Sequence, residues 1–392
     1  MRPATPDQRA MHRAIVLARR GAGAVSPNPR VGCVIVKNGR VIAEGFHARY
    51  GGPHAEQEAL RKAGKRAQGA TAYVNLEPCC HYGKTPPCAK ALIAAGVRRV
   101  VAAMKDPNPL VSGKGFAFLR RAGVIVEHGV LEEEARRLNR SFIHFMETGR
   151  PYVILKAAAS LDGRTADGWG RSKWITSEAA RGFSRALRAE IDAILVGAET
   201  VLADDPRLTA EACDAGSASS PARGVRRILR NPVRVILDSR LRTPAKARVL
   251  DEAAPTILAC ACKKERPLPP NVSILRLPSS KEGLDLKALL RALAGRGISS
   301  LLVEGGSRVH TSFLQAGLVD EVQLYLSPQV LGGKNAPSIF EGRGFPLRSA
   351  PKLRDISIRR IGSDLLVQGR MGPAKSGPGP RTTPKHARRK GV

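Results

Sequence analysis

The feature that most restricts the fold of this chain is an alternation of short β-branched runs with short helical segments. It runs to a Gly-Arg-Pro at 149–151 and then begins again. The first round opens with a helix over 7–20, where Met11, Ile15 and Ala18 recur at helical spacing. "VGCVIVKNGRVIAEG" follows, two β-branched runs about Asn38 and Gly39, a pair that tolerates the positive φ of a two-residue hairpin turn. "ATAYVNL", "RRVVAAM" and "VIVEHG" read as strands, separated by the helices "HAEQEALRKAG", "CAKALIAAG" and "GFAFLRRAG". A single helix, "EEEARRLNRSFIHFMETG", closes the round. Such alternation calls for a sheet that is largely parallel beyond its first hairpin.

The second round runs through "YVILKAAAS", a helix near 178–190, "DAILVG", "VRVILDS", "TILACA" and "SILRL". It continues with the helix "DLKALLRALAG", "SSLLVEGG", the helix "RVHTSFLQAG", "DEVQLYLSP" and the hairpin-like pair "ISIRRIGSDLLVQG". The predicted organisation is one α/β domain over 1–148, a second over 149–371, and a basic tail over 372–392. The tail has no acid and no apolar period, so disorder is expected there. No fixed-period repeat links the two rounds.

At 392 residues the chain can bury two cores, and its 43% hydrophobic content argues against wholesale disorder. No apolar run is long enough for a membrane span, and the N-terminus lacks the apolar core of a secretory signal, so a cytoplasmic location without a membrane partner is expected. Seven cysteines, an odd number, make a poor disulfide framework, and clustered cytosolic thiols bind metal or do chemistry. The net charge of +32 admits a nucleic-acid partner, but the aromatic content of 4% leaves few stacking platforms, and a solvated basic surface is the favoured reading.

The residues that carry chemistry gather around "EPCCHYGKTPPC", at 77–88, and "HAE", at 54–56. His54, Cys79 and Cys88 offer one imidazole and two thiolates, a donor set that zinc takes tetrahedrally with a fourth position open to water. Glu56 lies two residues past His54, placed to move a proton to or from that water. The pattern resembles the H-x-E and P-C-x-x-C signature of zinc deaminases, except that eight residues separate Cys79 from Cys88. Two other readings stay open: a structural zinc with Cys80 or His81 as fourth ligand, and a Cys79–Cys88 disulfide. Cys80 reads better as a non-ligand neighbour and His81 as a substrate contact. Cys33, Cys260 and Cys262 read as strand residues packed in cores. In the second round, Gly305 and Gly306 join a strand to a helix N-terminus suited to phosphate, although a tight turn alone would want the same glycines.

Longer stretches carry a more specific resemblance. "PNPRVGCVIV", "GGPHAEQEAL", "GATAYVNLEPCCHYGKTPPC" and "DPNPLVSGKG" are similar to the deaminase domain of the bifunctional riboflavin-biosynthesis deaminase/reductase family. "LKAAASLDGRTA", "SKWITSEAAR", "LRAEIDAILVGAETVLADDPRLT", "VILDS" and "LLVEGGSRVHTSFLQAGLVDE" resemble its reductase half. The resemblance spans about residues 8–370. It implies a cytidine-deaminase-like three-layer domain followed by a dihydrofolate-reductase-like α/β domain, with Zn2+ and NADPH as cofactors. Zinc would be held by His54, Cys79 and Cys88, with Glu56 as proton shuttle. Ala158, Trp174, Thr200, Asp204, Ser239 and the run Gly306, Ser307, Arg308, Val309, His310, Thr311 and Ser312 would border NADPH. Ser172, Arg188, Leu208 and Glu304 would border the substrate. Lys156 and Asp162 fall in the same motifs without an assigned role.

The implied reactions are two consecutive steps of riboflavin synthesis. The first deaminates 2,5-diamino-6-(5-phosphoribosylamino)pyrimidin-4-one, and the second reduces the ribosyl group to ribityl. The expected partner is this small phosphorylated pyrimidine, and a homo-oligomer is compatible with the family. One departure stands out: where the family carries an arginine two residues after "LT", this chain has Glu211, which would repel a phosphate. Replacement by Arg207, Arg223 or another loop cation is the expectation, and an active deaminase joined to an impaired reductase is the alternative. A nucleic-acid base deaminase would leave the second round unexplained, and a basic scaffold around a structural zinc would turn nothing over.

Overall fold

The computed structural model describes residues 4–82, 86–210 and 230–372. Its first sheet contains β1 (Gly32–Lys37), β2 (Arg40–Phe46), β3 (Thr71–Val74), β4 (Arg99–Ala102) and β5 (Ile125–His128), in the order β2-β1-β3-β4-β5. β1 pairs antiparallel with both β2 and β3, while β3, β4 and β5 run parallel. Asn38 and Gly39 have φ of 49° and 74°, so the hairpin closes by the primed turn that their side chains permit.

Around this sheet stand α1 (Pro6–Arg19), α2 (Ala55–Ala63), α3 (Cys88–Ala94), α4 (Lys114–Arg121), α5 (Glu132–Leu138) and α6 (Arg140–Thr148). Strand residues sort by parity. Cys33, Ile35, Ala72, Val74, Val100 and Ala102 pack with α2, α3 and α4, whereas Val34, Tyr73 and Val101 pack with α1, α5 and α6. The result is three layers, helix on sheet on helix. Gly45 sets how close one layer comes: a Cβ there would lie 2.3 Å from the Ala55 carbonyl oxygen, so the start of α2 rests directly on β2.

The closing helix departs from the sequence reading, which expected one helix from Glu132 to Gly149. The structure has two, because Asn139 leaves helical geometry (φ −104°, ψ 19°) and turns its side chain to the backbone of Arg30. Its Oδ1 accepts from the Arg30 N–H at 2.8 Å and its Nδ2 donates to the Arg30 carbonyl at 3.0 Å.

The second sheet begins after the turn at 149–151. In chain order its strands are β6 (Tyr152–Ala159), β7 (Ala193–Gly197), β8 (Val233–Leu237), β9 (Thr256–Cys260) and β10 (Val272–Arg276). A small ribbon, β11 (Ser279–Ser280) with β12 (Gly283–Leu284), stands apart before β13 (Ser300–Val303), β14 (Glu321–Leu326), β15 (Leu353–Ile361) and β16 (Asp364–Met371). The nine-stranded order is β10-β9-β8-β7-β13-β6-β14-β16-β15. β10 through β14 pair in parallel, and β16 and β15 add an antiparallel flank. Helices α7 (Glu178–Arg188) and α8 (Ala198–Asp204) pack on one face, and α9 (Leu286–Ala294) and α10 (Ser307–Gln315) on the other. The seven-residue α8 has no counterpart in the sequence reading.

β7 feeds α8 and moves the chain toward β8, while its neighbour β13 feeds α10 on the opposite face and moves it toward β14. Their C-terminal ends therefore part, and the crevice between them is where open parallel sheets bind ligands. Cys33 and Cys260 are fully buried in the two cores; Cys262 lies just past β9 and is half-buried. Among the described residues no helix is long and apolar enough to cross a membrane. Glu211, Arg223 and the tail from 373 onward lie outside the described residues.

Candidate functional site

Three segments converge at one end of the first sheet. His54 is the N-cap residue of α2, Cys88 opens α3, and Cys79 lies in the loop that follows β3. Nδ1 of His54 lies 3.3 Å from Cys88 Sγ and 3.7 Å from Cys79 Sγ, and the backbone N–H of Cys88 donates to Cys79 Sγ at 3.3 Å. All three donor atoms can lie within 4.8 Å of one another, and no fourth residue joins them among the described residues. Tetrahedral zinc, with bonds of about 2.3 Å to sulfur and about 2.0 Å to nitrogen, separates S and N ligands by roughly 3.5 Å. The observed distances bracket that value, so the residues present fit the ion. The thiol pair shares one proton unequally: hydrogen bonds accepted from Cys88 and from His54 outweigh burial and draw Cys79 down to about 4, while the bond to Cys79 and burial push Cys88 well up.

Glu56 lies on the first turn of α2 with only 4% of its surface exposed. Burial, followed by the Cys79 charge, pushes its carboxyl above the usual range. Glu56, His54 and Cys79 line a cavity of about 230 Å³, whose walls also include Asn28, Pro29, His47, Tyr50, His81, Asp106, Asn108 and Phe142, while Cys88 lies fully buried behind the other two donors. His47 is held at both ring nitrogens: Nδ1 donates to the Pro53 carbonyl at 2.9 Å, which leaves Nε2 to accept from the Asn28 amide at 3.3 Å. Asn28, His47, Asp106 and Asn108 were not singled out from sequence. Three of them fall in the proline-punctuated turns "PNP" and "DPNP", the only signal they offered.

The second crevice is assembled from the C-terminal ends of β6, β7, β8 and β13. Gly305 and Gly306 carry the chain from β13 into α10, and a Cβ at Gly305 would meet Val196 Cγ1 at 2.9 Å and Thr200 Oγ1 at 3.0 Å. Thr200 is thus brought against the start of α10, while Ala158 and Ser239 stand at or just past neighbouring strand ends. The side chains of α10 are occupied otherwise. Ser307 Oγ donates to the Ser338 carbonyl at 2.5 Å, His310 Nδ1 pairs with the Ile339 carbonyl at 3.3 Å, and Thr311 Oγ1 accepts from the Glu341 N–H at 3.0 Å. Ser312 Oγ turns back to the Arg308 carbonyl at 2.8 Å, Val309 packs toward Gly197, and Arg308 extends into solvent. What this helix end offers a ligand is its backbone.

Among the residues expected at the substrate, Arg188 grips Glu304 through two bonds of 2.9 and 2.8 Å and also donates to the Thr209 carbonyl at 3.2 Å. Lys156 Nζ stands 3.8 Å from the same carboxylate. Burial pushes Glu304 up, but the two cations outweigh it and hold the carboxyl at about 2. Burial draws the Lys156 ammonium down, against the pull of Glu304. Leu208 is buried, with a φ of 55°, and Ser172 is half-buried. Trp174 is 66% exposed with the Arg181 guanidinium 4.3 Å from its ring centroid, and Asp204 is exposed at the end of α8.

Comparison with known proteins agrees with this two-site arrangement. Residues 4–104 match the cytidine and deoxycytidylate deaminase zinc-binding region, and residues 151–367 match the RibD C-terminal domain. The riboflavin biosynthesis proteins RibD of Bacillus amyloliquefaciens and Escherichia coli K12 are each 46% identical to this chain. The alignments cover 91% and 92% of it and 94% and 98% of those proteins. The chain belongs to the RibD family. A solved RibD-type structure from Thermotoga maritima, described as a deaminase/reductase, superposes with a TM-score of 0.83 at 40% identity, covering 94% of this chain and 99% of that one. Like its RibD relatives, the protein is a bifunctional deaminase and reductase of riboflavin biosynthesis. The first sheet and its helices form the cytidine-deaminase-like fold, and the second sheet forms the dihydrofolate-reductase-like RibD C-terminal fold.

Proposed function

We propose that this chain deaminates 2,5-diamino-6-(5-phosphoribosylamino)pyrimidin-4-one in the first cavity and reduces the product's ribosyl group to ribityl in the second crevice. We assign the chemistry to domains of residues 1–148 and 149–371, acting in the cytoplasm. The observation that carries the reading is the clustering of His54, Cys79 and Cys88 at the edge of a cavity that His54, Cys79 and the buried Glu56 line. These three residues would hold zinc, which supplies a water acidic enough to act as a nucleophile at neutral pH.

Glu56 performs the proton work. Its raised pKa suits a group that must take a proton from the attacking water and return it to the departing amino nitrogen, which leaves as ammonia. Asn28 and His47, locked to each other, present a fixed polar edge against which the pyrimidine can be oriented, with Asp106 and Asn108 in the same lining. Phe142 and Pro29 supply apolar surface that limits water.

For the second step, the backbone amides at the start of α10 and Thr200 would hold the phosphates of NADPH, which would supply hydride. Ala158, Ser239, Trp174 and Asp204 are the further residues we assign to the cofactor's border. Lys156 and Arg188, balanced by Glu304, set a positive local field for a phosphorylated substrate. We assign to Arg207, whose side chain is 61% exposed beside Asp251, the substrate-phosphate contact that an arginine at 211 would have made.

The test is mass spectrometry of products from zinc-loaded protein given the diaminopyrimidine phosphate. Replacement of an amino group by oxygen is expected without NADPH, and a further gain of two hydrogens with it. Glu56→Gln should retain zinc and lose the first step. Full deamination in that variant would remove Glu56 from the mechanism, and no product in either assay would refute the reading.

A further inference from the structure

The wall of the deamination cavity does not belong to the first domain alone in its support. The loop 23–30 runs from the end of α1 into the cavity residues Asn28 and Pro29, and it is seated on the second domain at three points. Gly23, at φ 75°, is pressed so closely to the α7 end that a Cβ would lie 2.0 Å from the Ala189 carbonyl oxygen. Ser26 Oγ lies 3.1 Å from Ser299 Oγ, just before β13. Arg30 reaches across to Glu190, with Nη1 donating to its carboxylate at 3.0 Å and Nη2 to its carbonyl at 3.3 Å. The loop also fixes a second part of the wall, since the N–H of Tyr50 donates to the Ala24 carbonyl at 2.9 Å.

Within the first domain the same residue is held at its backbone. Asn75 and Asn139 both donate to the Arg30 carbonyl, at 2.9 and 3.0 Å, and Asn139 accepts from its N–H. The peptide is thereby anchored at one point, while the direction in which the loop leaves that anchor depends on where the guanidinium is tied. We propose that Glu190 of the second domain is a positioning residue for the deamination site, acting through Arg30 to set the wall that receives the pyrimidine. The first domain thus owes its substrate affinity to the second. Arg188, two residues before Glu190, is the arginine that grips Glu304 in the reduction crevice, so the same helix end serves both sites.

The inference rests on the assignment of this cavity to deamination, and the experiment separates the two. In full-length, zinc-loaded protein, steady-state deamination is measured for Arg30→Gln, Glu190→Gln, the double variant, and Arg150→Gln. The last breaks a different contact beside the interface, the Arg150–Asp320 pair, and touches no cavity wall. A partly buried ion pair, backed by a second bond to the Glu190 carbonyl, supports an expected KM increase of about fivefold in each single variant, with kcat within about twofold. The double variant should be no worse than Arg30→Gln alone, because the carboxylate bond that Glu190→Gln weakens is already gone when Arg30 is replaced. Arg150→Gln should leave KM unchanged, and zinc content should remain the same throughout. Additive effects, an unchanged KM in Glu190→Gln, or a matching KM rise in Arg150→Gln would overturn the proposal. If Glu56→Gln in the same series keeps its activity, the assignment of the cavity fails; if it loses activity while Glu190→Gln behaves as wild type, only the positioning role fails.

Discussion

Replacing Glu77 tests how the floor and the far wall of the cavity are joined. This carboxylate, 3% exposed, lies two residues before Cys79 and accepts three backbone N–H groups from the segment that carries Asp106 and Asn108. Oε2 accepts from Asp106 at 3.2 Å and Gly113 at 2.9 Å, and Oε1 accepts from Phe116 at 3.2 Å at the start of α4. A carboxylate offers only acceptors, whereas glutamine offers one oxygen and one donor. In its better orientation Glu77→Gln keeps the two bonds at Oε2 and turns an N–H toward that of Phe116. One charge-assisted bond is lost and one buried amide is left unpaired, a cost of about 2–4 kcal/mol. The segment cannot close the gap by moving inward, because a Cβ at Gly115 would already meet the Pro78 carbonyl oxygen at 2.1 Å. Glu77→Ala strands all three amides and should cost about twice as much. Urea unfolding of zinc-saturated protein, followed by far-UV circular dichroism, reads the difference as a lower midpoint at constant slope. The first domain's thermal midpoint should fall by roughly 5–15 °C in the glutamine variant. A glutamine variant within about 0.5 kcal/mol of wild type, or an alanine variant no worse than glutamine, would refute the assigned role.

Two further outcomes follow from the same reasoning. Glu304 is held at about 2, below its usual 4.5, so its contribution to stability is complete above the unfolded value and is lost as pH falls toward 2. Glu304→Gln should therefore destabilise the second domain at pH 7, by about 3 kcal/mol, and make its acid limb shallower than that of wild type; equal unfolding curves from pH 7 to 3 would contradict this. Removing zinc with a chelator should abolish deamination and lower the midpoint of the first domain while leaving NADPH oxidation with the deaminated substrate intact, and loss of both activities together would contradict separate sites.

The parts of the fold that were legible in the sequence are those set by short-range patterns. Asn38-Gly39 specified its hairpin because both residues accept positive φ, and Cys33 was legible as a packed strand residue, whereas the uniformly apolar run Cys33, Val34 and Ile35 left to the structure which side chain faces which helical layer. Glycines at 64 and 96 ended helices as read. The site residues His54, Glu56, Cys79 and Cys88 were legible because metal chemistry restricts residue types severely; the structure clusters His54, Cys79 and Cys88, and places Glu56 with His54 and Cys79 in one cavity lining. The helical period of residues 132–149, by contrast, ran straight through Asn139. Nothing local showed that its side chain would leave the helix to clamp Arg30, more than a hundred residues away.

The same division holds at the second site. The sequence by itself determined the parallel alternation and the glycine turn before α10, and so the presence of a ligand crevice at strand ends. Only the tertiary structure decided that Ser307, His310 and Thr311 turn toward residues 338–341, and that Arg188 and Lys156 share the one Glu304 carboxylate. It also decided that the deamination cavity leans on Glu190. The physical reason is that periodicity and turn chemistry act over a few residues, whereas a buried polar group takes whatever partner the packed layers bring within about 3 Å.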